Sequence, residues 1–88
     1  MDNITFSPKG WAGYCYWQAN DKKIAQKINQ LLKDIQRNGP ADGIGKPEAL
    51  RYMDGEAWSR RIDGQHRLSY TVENGDIIIL SCRGHYDD

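Results

Sequence analysis

Three arginines that lie close together in the chain carry its most specific chemistry. Arg60 and Arg61 follow each other in the run WSRRI, and Arg67 comes shortly after, in HRLSY. A guanidinium group presents donors that match two phosphate oxygens at once, so arginines on neighbouring strands indicate an anionic ligand. The carboxylate of Glu48 and the imidazole of His85, near the end of the sequence, would complete a set of groups able to cleave RNA.

Metal-free RNA cleavage requires three steps: deprotonation of a ribose 2′-hydroxyl, stabilisation of a dianionic phosphorane and protonation of the departing 5′-oxygen. Glu48 can take the first proton if burial beside Pro47 and Tyr52 strengthens its carboxylate as a base. His85 suits the acid role, because an unperturbed imidazole has a pKa of roughly 6.5. The arginines would stabilise the charge of the transition state. We therefore expect neither a metal ion nor another cofactor.

The same residues also have ordinary interpretations. Glu48 could be an exposed loop carboxylate, and His85 a solvated residue. His66 more simply serves packing or the neighbouring turn. The arginines could form surface ion pairs with nearby carboxylates, namely Asp54, Glu56 and Asp63.

Length and composition set the frame for these residues. The 88 residues predict one domain, residues 1–88, and the formal net charge of zero argues against a general nucleic-acid coat protein. No segment approaches the roughly 20 apolar residues of a membrane span, and the first residues do not resemble a signal peptide, so we expect a cytoplasmic protein with no membrane partner. Cys15 and Cys82 lack metal-ligand spacing, and we expect both to be reduced and buried.

The first half of the chain predicts a short strand at residues 3–6 followed by two helices. Ser7 and Pro8 mark the start of the first helix, which places Trp11, Tyr14, Cys15 and Gln18 on one side and ends near Asn20. Asn20 or Asp21 then caps a second helix with a clear apolar stripe, which ends at Asn38-Gly39-Pro40. The stripe consists of Ile24, Ile28, Leu31, Leu32 and Ile35. The lysines of this helix either form a solvated face or attract the phosphates of a nucleic acid.

The second half predicts antiparallel strands. Asn74-Gly75 is typical of a type I′ hairpin loop, which would pair Tyr70 with Ile79 and Arg67 with Cys82. The turn at residues 63–65 is ambiguous. A two-residue loop sets Arg60 opposite Arg67, whereas a three-residue loop pairs Ile62 with His66.

We favour the three-residue loop, which sets Arg61 opposite Arg67, because it directs the apolar strand residues toward the helices. It also groups small polar residues beside the two arginines, leaving room for a ligand, and sends Arg60 the other way, toward the rim of the sheet. The small residues are Ser59, Ser69 and Thr71. With strict alternation His85 would lie on the opposite side from Arg67, so we expect either a bulge at Gly84 or a turn after it. The fold class is then α+β, a two-layer β-α-α-β-β-β domain with two N-terminal helices on an antiparallel sheet.

The segments GKPEALRY, WSRRI, HRLSY and the closing GHY, together with YWQANDKKIAQKINQLLKDIQRNG, resemble the YoeB-type toxins of the RelE superfamily over nearly the whole chain. This resemblance implies a microbial-ribonuclease (RelE-like) fold. It also implies a ribosome-dependent endoribonuclease that cuts mRNA in the decoding site to a 2′,3′-cyclic phosphate. The expected partners are a YefM-like antitoxin that neutralises the toxin, the ribosome with its RNA, and a second copy in a homodimer.

By matched position, the resemblance implies that Glu48 is the general base and His85 the general acid, and that Arg61 and Arg67 hold the scissile phosphate. The remaining implied substrate-binding residues are Lys46, Arg51 and Tyr86.

The chain also departs from the family pattern. Ala49 and Ala57 stand where a proline and an aromatic residue are usual, and Asp87 and Asp88 extend past the terminal tyrosine. The alternative function is that of a ParE-like toxin, which inhibits a protein target such as gyrase without cleaving RNA; the presence of both Glu48 and His85 disfavours it.

Overall fold

The computed structural model describes residues 3–50 and 57–84. Three of the predicted site residues, Arg51, His85 and Tyr86, lie outside these ranges, as does the Asp87-Asp88 extension. The elements are β1 (Ile4–Phe6), α1 (Pro8–Asn20), α2 (Lys22–Asn38), β2 (Glu48–Ala49), β3 (Ala57–Arg61), β4 (Arg67–Glu73) and β5 (Asp76–Ser81).

Both helices begin and end where the sequence predicts. The Ser7 side chain caps α1, and Pro8 is its first residue. Asp21 caps α2 by accepting hydrogen bonds from two backbone N–H groups of the first turn. Gly39, with φ of +88°, follows the last turn, so the chain leaves α2 in a conformation that glycine adopts without strain. Neither described helix has the length and apolar character needed to cross a membrane.

The face that α1 buries is made of small residues and one tryptophan. Gly10, Gly13 and Trp17 are buried, whereas Trp11 is 54% exposed and Cys15 is also exposed. A Cβ atom at Gly10 would lie 2.2 Å from a backbone carbonyl oxygen of β5, so only glycine permits this close approach. The prediction that Cys15 is buried is therefore wrong.

Cys82 is buried, as predicted, and both cysteines are free thiols. Burial raises the pKa of the Cys82 thiol to about 11, so it stays protonated near neutral pH. The indole Nε1 of Trp17 donates a hydrogen bond of 2.8 Å to the Cys82 carbonyl, which ties α1 to the end of β5.

The sheet has five strands in the order β1-β5-β4-β3-β2. β1 runs parallel to β5, while the other neighbours are antiparallel, so the sheet is mixed rather than wholly antiparallel as predicted. The two-residue β2 was not predicted, because two residues show no periodicity. The predicted interior position of the last strand is confirmed: β5 lies between β1 and β4, with Ile77 and Ile79 fully buried.

The apolar stripe of α2 packs against β4 and β5 to form one core, which confirms the α+β class with two helices on a sheet. Its fully buried members include Ile28, Leu31, Ile35, Leu68, Tyr70, Ile77 and Ile79.

Two of the predicted strand registers are confirmed. Arg61 lies opposite Arg67, and the Ile62 amide donates to the His66 carbonyl at 3.0 Å, which is the three-residue loop. At the other hairpin, residues 74 and 75 have φ of +52° and +83°, the signature of a type I′ turn. Tyr70 pairs with Ile79, as this turn requires.

A bulge in β5 then changes the register. Tyr70 pairs with Ile79 but Ser69 pairs with Ser81, so Leu80 is the extra residue. The predicted pairing of Arg67 with Cys82 is therefore wrong. Side-chain order reverses at Leu80, and the alternative of a turn after Gly84 lies outside the described residues. As a result Ser81 shares a face with Ser69, while Cys82 enters the core.

Candidate functional site

Glu48 and Arg67 meet on the sheet face that is turned away from the helices. The short β2 places Glu48 opposite Ser59 of β3. The Nη2 atom of Arg67 lies 3.7 Å from Oε1 of Glu48, and its Nε donates a 3.1 Å hydrogen bond to the Ser59 hydroxyl. The guanidinium is thereby aimed across β3 toward the carboxylate.

The two partners differ greatly in exposure. The Arg67 side chain is 13% exposed, and that of Glu48 is 70% exposed. The Glu48 side chain is therefore not buried, and Tyr52, named as one of its neighbours, lies outside the described residues. An ion pair open to water contributes at most about 1 kcal/mol to stability. The pair orients a guanidinium and leaves the carboxylate accessible to a ligand.

Arg61 adds a second guanidinium beside the first. It lies directly across from Arg67 at the end of β3 and is exposed. Side chains of such cross-strand pairs have Cβ atoms about 4.5 to 5.5 Å apart, and like charges at this spacing repel each other. An anion between or beside them would relieve that repulsion.

The serines expected to leave room for a ligand lie below the surface. Ser59 and Ser69 are 1% and 0% exposed, and the Ser59 hydroxyl is used by Arg67. These two serines therefore leave no open room for a ligand.

Arg60 is fully buried, so its predicted position at the rim of the sheet is wrong. Its Nη1 lies 2.5 Å from Oδ2 of Asp34 in α2, and its Nε donates to the Tyr70 hydroxyl at 2.9 Å. The guanidinium also donates to the carbonyl oxygens of residues 39, 42 and 44. A buried charge persists only with this degree of pairing, and here all three polar nitrogens of the side chain have acceptors.

The Arg60 contacts hold the loop of residues 39–45 that leads to Lys46 and Glu48. Tyr70 donates to the Pro40 carbonyl at 2.6 Å, and the amide of Ile44 donates to Asp34 at 3.0 Å. The loop then joins β3, where the Arg61 amide donates to the Gly45 carbonyl at 2.7 Å. Arg60 is thus a positioning residue for the chain that carries the candidate base.

His66 holds Gly84, the residue that precedes the candidate acid His85. Its Nδ1 accepts a 2.8 Å hydrogen bond from the Gly84 amide, while the Arg67 amide donates to the Gly84 carbonyl at 3.1 Å. The ring also packs edge-on against Trp17, with centroids 4.8 Å apart. The packing role expected of His66 is confirmed, and both backbone polar groups of Gly84 are held, the amide by His66 and the carbonyl by Arg67.

Of the predicted site residues, the structure brings together Glu48, Arg61 and Arg67. Lys46 lies two residues before Glu48 in the chain. The role of Asp34 was missed in the sequence. The available signal was its position: Asp34 precedes Ile35 and follows Leu31 by three residues, so it borders the apolar stripe of α2. Within residues 3–50 and 57–84, no group of three or more His, Cys, Asp or Glu side chains could hold a metal ion.

Comparison with known proteins gives a consistent result. Residues 6–86 match the family model described as the YoeB-like toxin of bacterial type II toxin–antitoxin systems. The chain is 49% identical over 83 residues to Toxin YoeB of Synechocystis, covering 94% of this chain and 95% of that one. It is 54% identical to the structure of the YoeB dimer from Staphylococcus aureus, with a TM-score of 0.86 and coverage of 96% and 97%. A heterotetrameric YoeB–YefM complex from the same organism matches at 55% identity, with the same TM-score and the same coverage.

Proposed function

The chain belongs to the YoeB-like toxin family of bacterial type II toxin–antitoxin systems, and on this basis we propose that it is a ribosome-dependent endoribonuclease. Its substrate would be mRNA in the decoding site. The observation that carries the proposal is the accessible Glu48 carboxylate held beside the Arg67 guanidinium, with Arg61 across the strand. A base next to paired cations is the arrangement that phosphodiester cleavage needs.

In the proposed reaction Glu48 removes the proton of a ribose 2′-hydroxyl, and the 2′-oxygen attacks the adjacent phosphorus. Arg67 and Arg61 stabilise the dianionic phosphorane. The 5′-oxygen leaves with a proton from His85, which gives a 2′,3′-cyclic phosphate and a 5′-hydroxyl. His85 lies beyond the described residues, and Gly84, which precedes it, is held by His66 and Arg67.

The exposure of Glu48 supports dependence on the ribosome. The free chain leaves the Glu48 carboxylate largely exposed to water. Covering by the substrate and the ribosome would remove that water and strengthen the base at the moment of reaction. Lys46, Arg51 and Tyr86 are the further substrate contacts that we propose.

The partners follow from the family. We propose a YefM-like antitoxin, as in the Staphylococcus aureus complex, and a homodimer, as in the dimer from the same organism. The exposed Trp11 stacks on Tyr14 and packs edge-on against Phe6, an aromatic patch that supports contact with a second copy. Action on translated mRNA would place the protein in the cytoplasm.

The test is primer extension on an mRNA translated in vitro with added toxin. Wild-type protein should produce cuts at codons in the decoding site, and Glu48→Gln should not. Glu73→Gln, which alters an exposed carboxylate at the far end of β4, is the matched control and should cut like wild type. Intact message together with arrested DNA supercoiling would contradict the proposal and favour the ParE-like function.

A further inference from the structure

A cationic cleft lies beside the candidate active site, at the end of β3. It has a volume of about 340 Å³, and its lining includes Lys27 of α2, Lys46 of the preceding loop, Arg61 of β3, Gly45, Ile62 and Asp63. Three cations thus converge from three separate parts of the fold. The volume is within the range of small-ligand sites and suits one nucleotide unit.

None of the three cations has an ion-pair partner among the described residues, where the ion pairs are Arg60–Asp34 and Arg67–Glu48. The one acidic lining residue does not neutralise them. Oδ1 of Asp63 accepts hydrogen bonds from the amides of Gln65 and His66, at 2.8 and 2.6 Å. Burial opposes the charge, but these amide hydrogen bonds prevail and hold the pKa of Asp63 below its ordinary value. The ionised Asp63 offsets only one of the three positive charges, so the cleft keeps a net positive charge.

The backbone at Lys46 supports a binding role. Its φ of +52° lies in the left-handed region, which costs a residue with a Cβ atom of order 1 kcal/mol or more. The hydrogen bond from the Arg61 amide to the Gly45 carbonyl holds this conformation in place. In this backbone conformation the Lys46 side chain lines the cleft together with Arg61.

The side chains of Arg61 and Arg67 point in different directions from the same sheet face. Arg67 leans across β3 to Ser59 and Glu48, whereas Arg61, directly opposite Arg67, lines the cleft at the end of β3. Because Arg61 and Arg67 are cross-strand neighbours, successive phosphates of one RNA strand could contact first one arginine and then the other.

We propose that this cleft binds a second phosphate of the substrate RNA, adjacent to the scissile one, with Lys27 as a binding residue. The assignment of the ligand to the substrate strand rests on the proposed nuclease function; the cationic cleft itself does not. A second bound phosphate would fix the register of the strand relative to Glu48.

The test uses non-cleavable dinucleotides with a 2′-deoxy sugar at the scissile position, so that binding is measured without catalysis. One bears no terminal phosphate, one a 5′-phosphate and one a 3′-phosphate. For wild type, one of the two terminal phosphates should tighten binding about tenfold in low salt, the size expected of one charge-assisted contact. In Lys27→Ala this gain should be lost, while binding of the unphosphorylated dinucleotide is unchanged.

Lys23→Ala, an exposed lysine of α2 outside the cleft, is the matched control and should keep the gain. Between 50 and 200 mM salt, the salt dependence of wild-type binding should also exceed that of Lys27→Ala by about one phosphate contact. Equal gains in wild type and Lys27→Ala, or no gain from either phosphate in wild type, would overturn the proposal. Cleavage by the same wild-type preparation is scored separately, so loss of the nuclease function is distinguishable from loss of the subsite.

Discussion

The fully buried Arg60 guanidinium and the partly buried Asp34 carboxylate form an ion pair between β3 and α2, with side chains 0% and 15% exposed. The pair is the centre from which the loop to Lys46 and Glu48 is held. Removal of Arg60 leaves the Asp34 carboxylate and the carbonyls of residues 39, 42 and 44 without their shared donor, which is more costly than loss of a surface pair.

We therefore expect Arg60→Met to lower the free energy of unfolding by about 3 to 5 kcal/mol. The neighbouring Arg61→Met removes an exposed arginine from the same strand and should change it by no more than about 0.5 kcal/mol. Urea unfolding followed by tryptophan fluorescence measures both. Equal effects of the two substitutions would contradict the structural role of Arg60.

The same ion pair makes stability depend on pH. The hydrogen bond from Arg60 holds the pKa of Asp34 below its ordinary value of 3.8, although burial acts in the opposite direction. The unfolded chain then takes up the proton first, so this contribution is complete above about pH 4 and is lost as pH falls through the lowered folded-state pKa. Acidification from pH 5 to pH 3 should destabilise wild type more steeply than Asp34→Asn, in urea titrations at each pH. Parallel losses would show that Asp34 does not carry this dependence.

The loop around the ion pair depends on Gly43. A Cβ atom there would lie 1.8 Å from Oδ2 of Asp34, and its φ of +122° is unfavourable for other residues. Gly43→Ala should cost more than about 1 kcal/mol of stability and reduce cleavage, because the loop leads directly to Lys46 and Glu48. Gly64→Ala is the control, since a Cβ at Gly64 would meet nothing within 4 Å. Equal stability and equal cleavage rates for the two variants, measured by thermal unfolding and cleavage assays, would contradict this description of the loop.

His66 should affect catalysis through the residue that precedes His85. Because Nδ1 accepts the Gly84 amide, a neutral ring carries its proton on Nε2. His66→Leu removes the acceptor and should slow single-turnover cleavage by about 10- to 100-fold, the usual effect of misplacing a catalytic group. His66→Asn keeps an acceptor near the Nδ1 position and should restore most of the rate. If both variants lose activity equally while remaining folded, the hydrogen bond has no positioning role.

The sequence predicted the parts of the fold that local rules decide. Ser7, Asp21 and Gly39 specify helix ends through hydrogen bonds and backbone conformations that depend only on neighbours, and Asn74-Gly75 specifies its turn in the same way. The pairing of Arg61 with Arg67 followed from loop length and from the apolar pattern.

The failures involve contacts between distant parts of the chain. Arg60 is buried because Asp34, 26 residues earlier, supplies its counter-charge, and no periodic pattern reports such a partner. The bulge at Leu80 lies in the pairing of β5 with β4, where the Ser7 hydroxyl before α1 donates to the Leu80 carbonyl from 73 residues away. The exposure of Glu48 follows from its place on the edge strand β2, which was too short to predict.

The central claim is that Glu48 acts as a base on a phosphodiester held by Arg67, and the single-turnover rate of cleavage of ribosome-bound mRNA tests it most directly. Glu48→Gln preserves size and hydrogen bonding but cannot accept the proton, so the rate should fall by about 10² to 10⁴ with ribosome binding unchanged. A Glu48→Gln protein that cleaves at the wild-type rate would contradict the account.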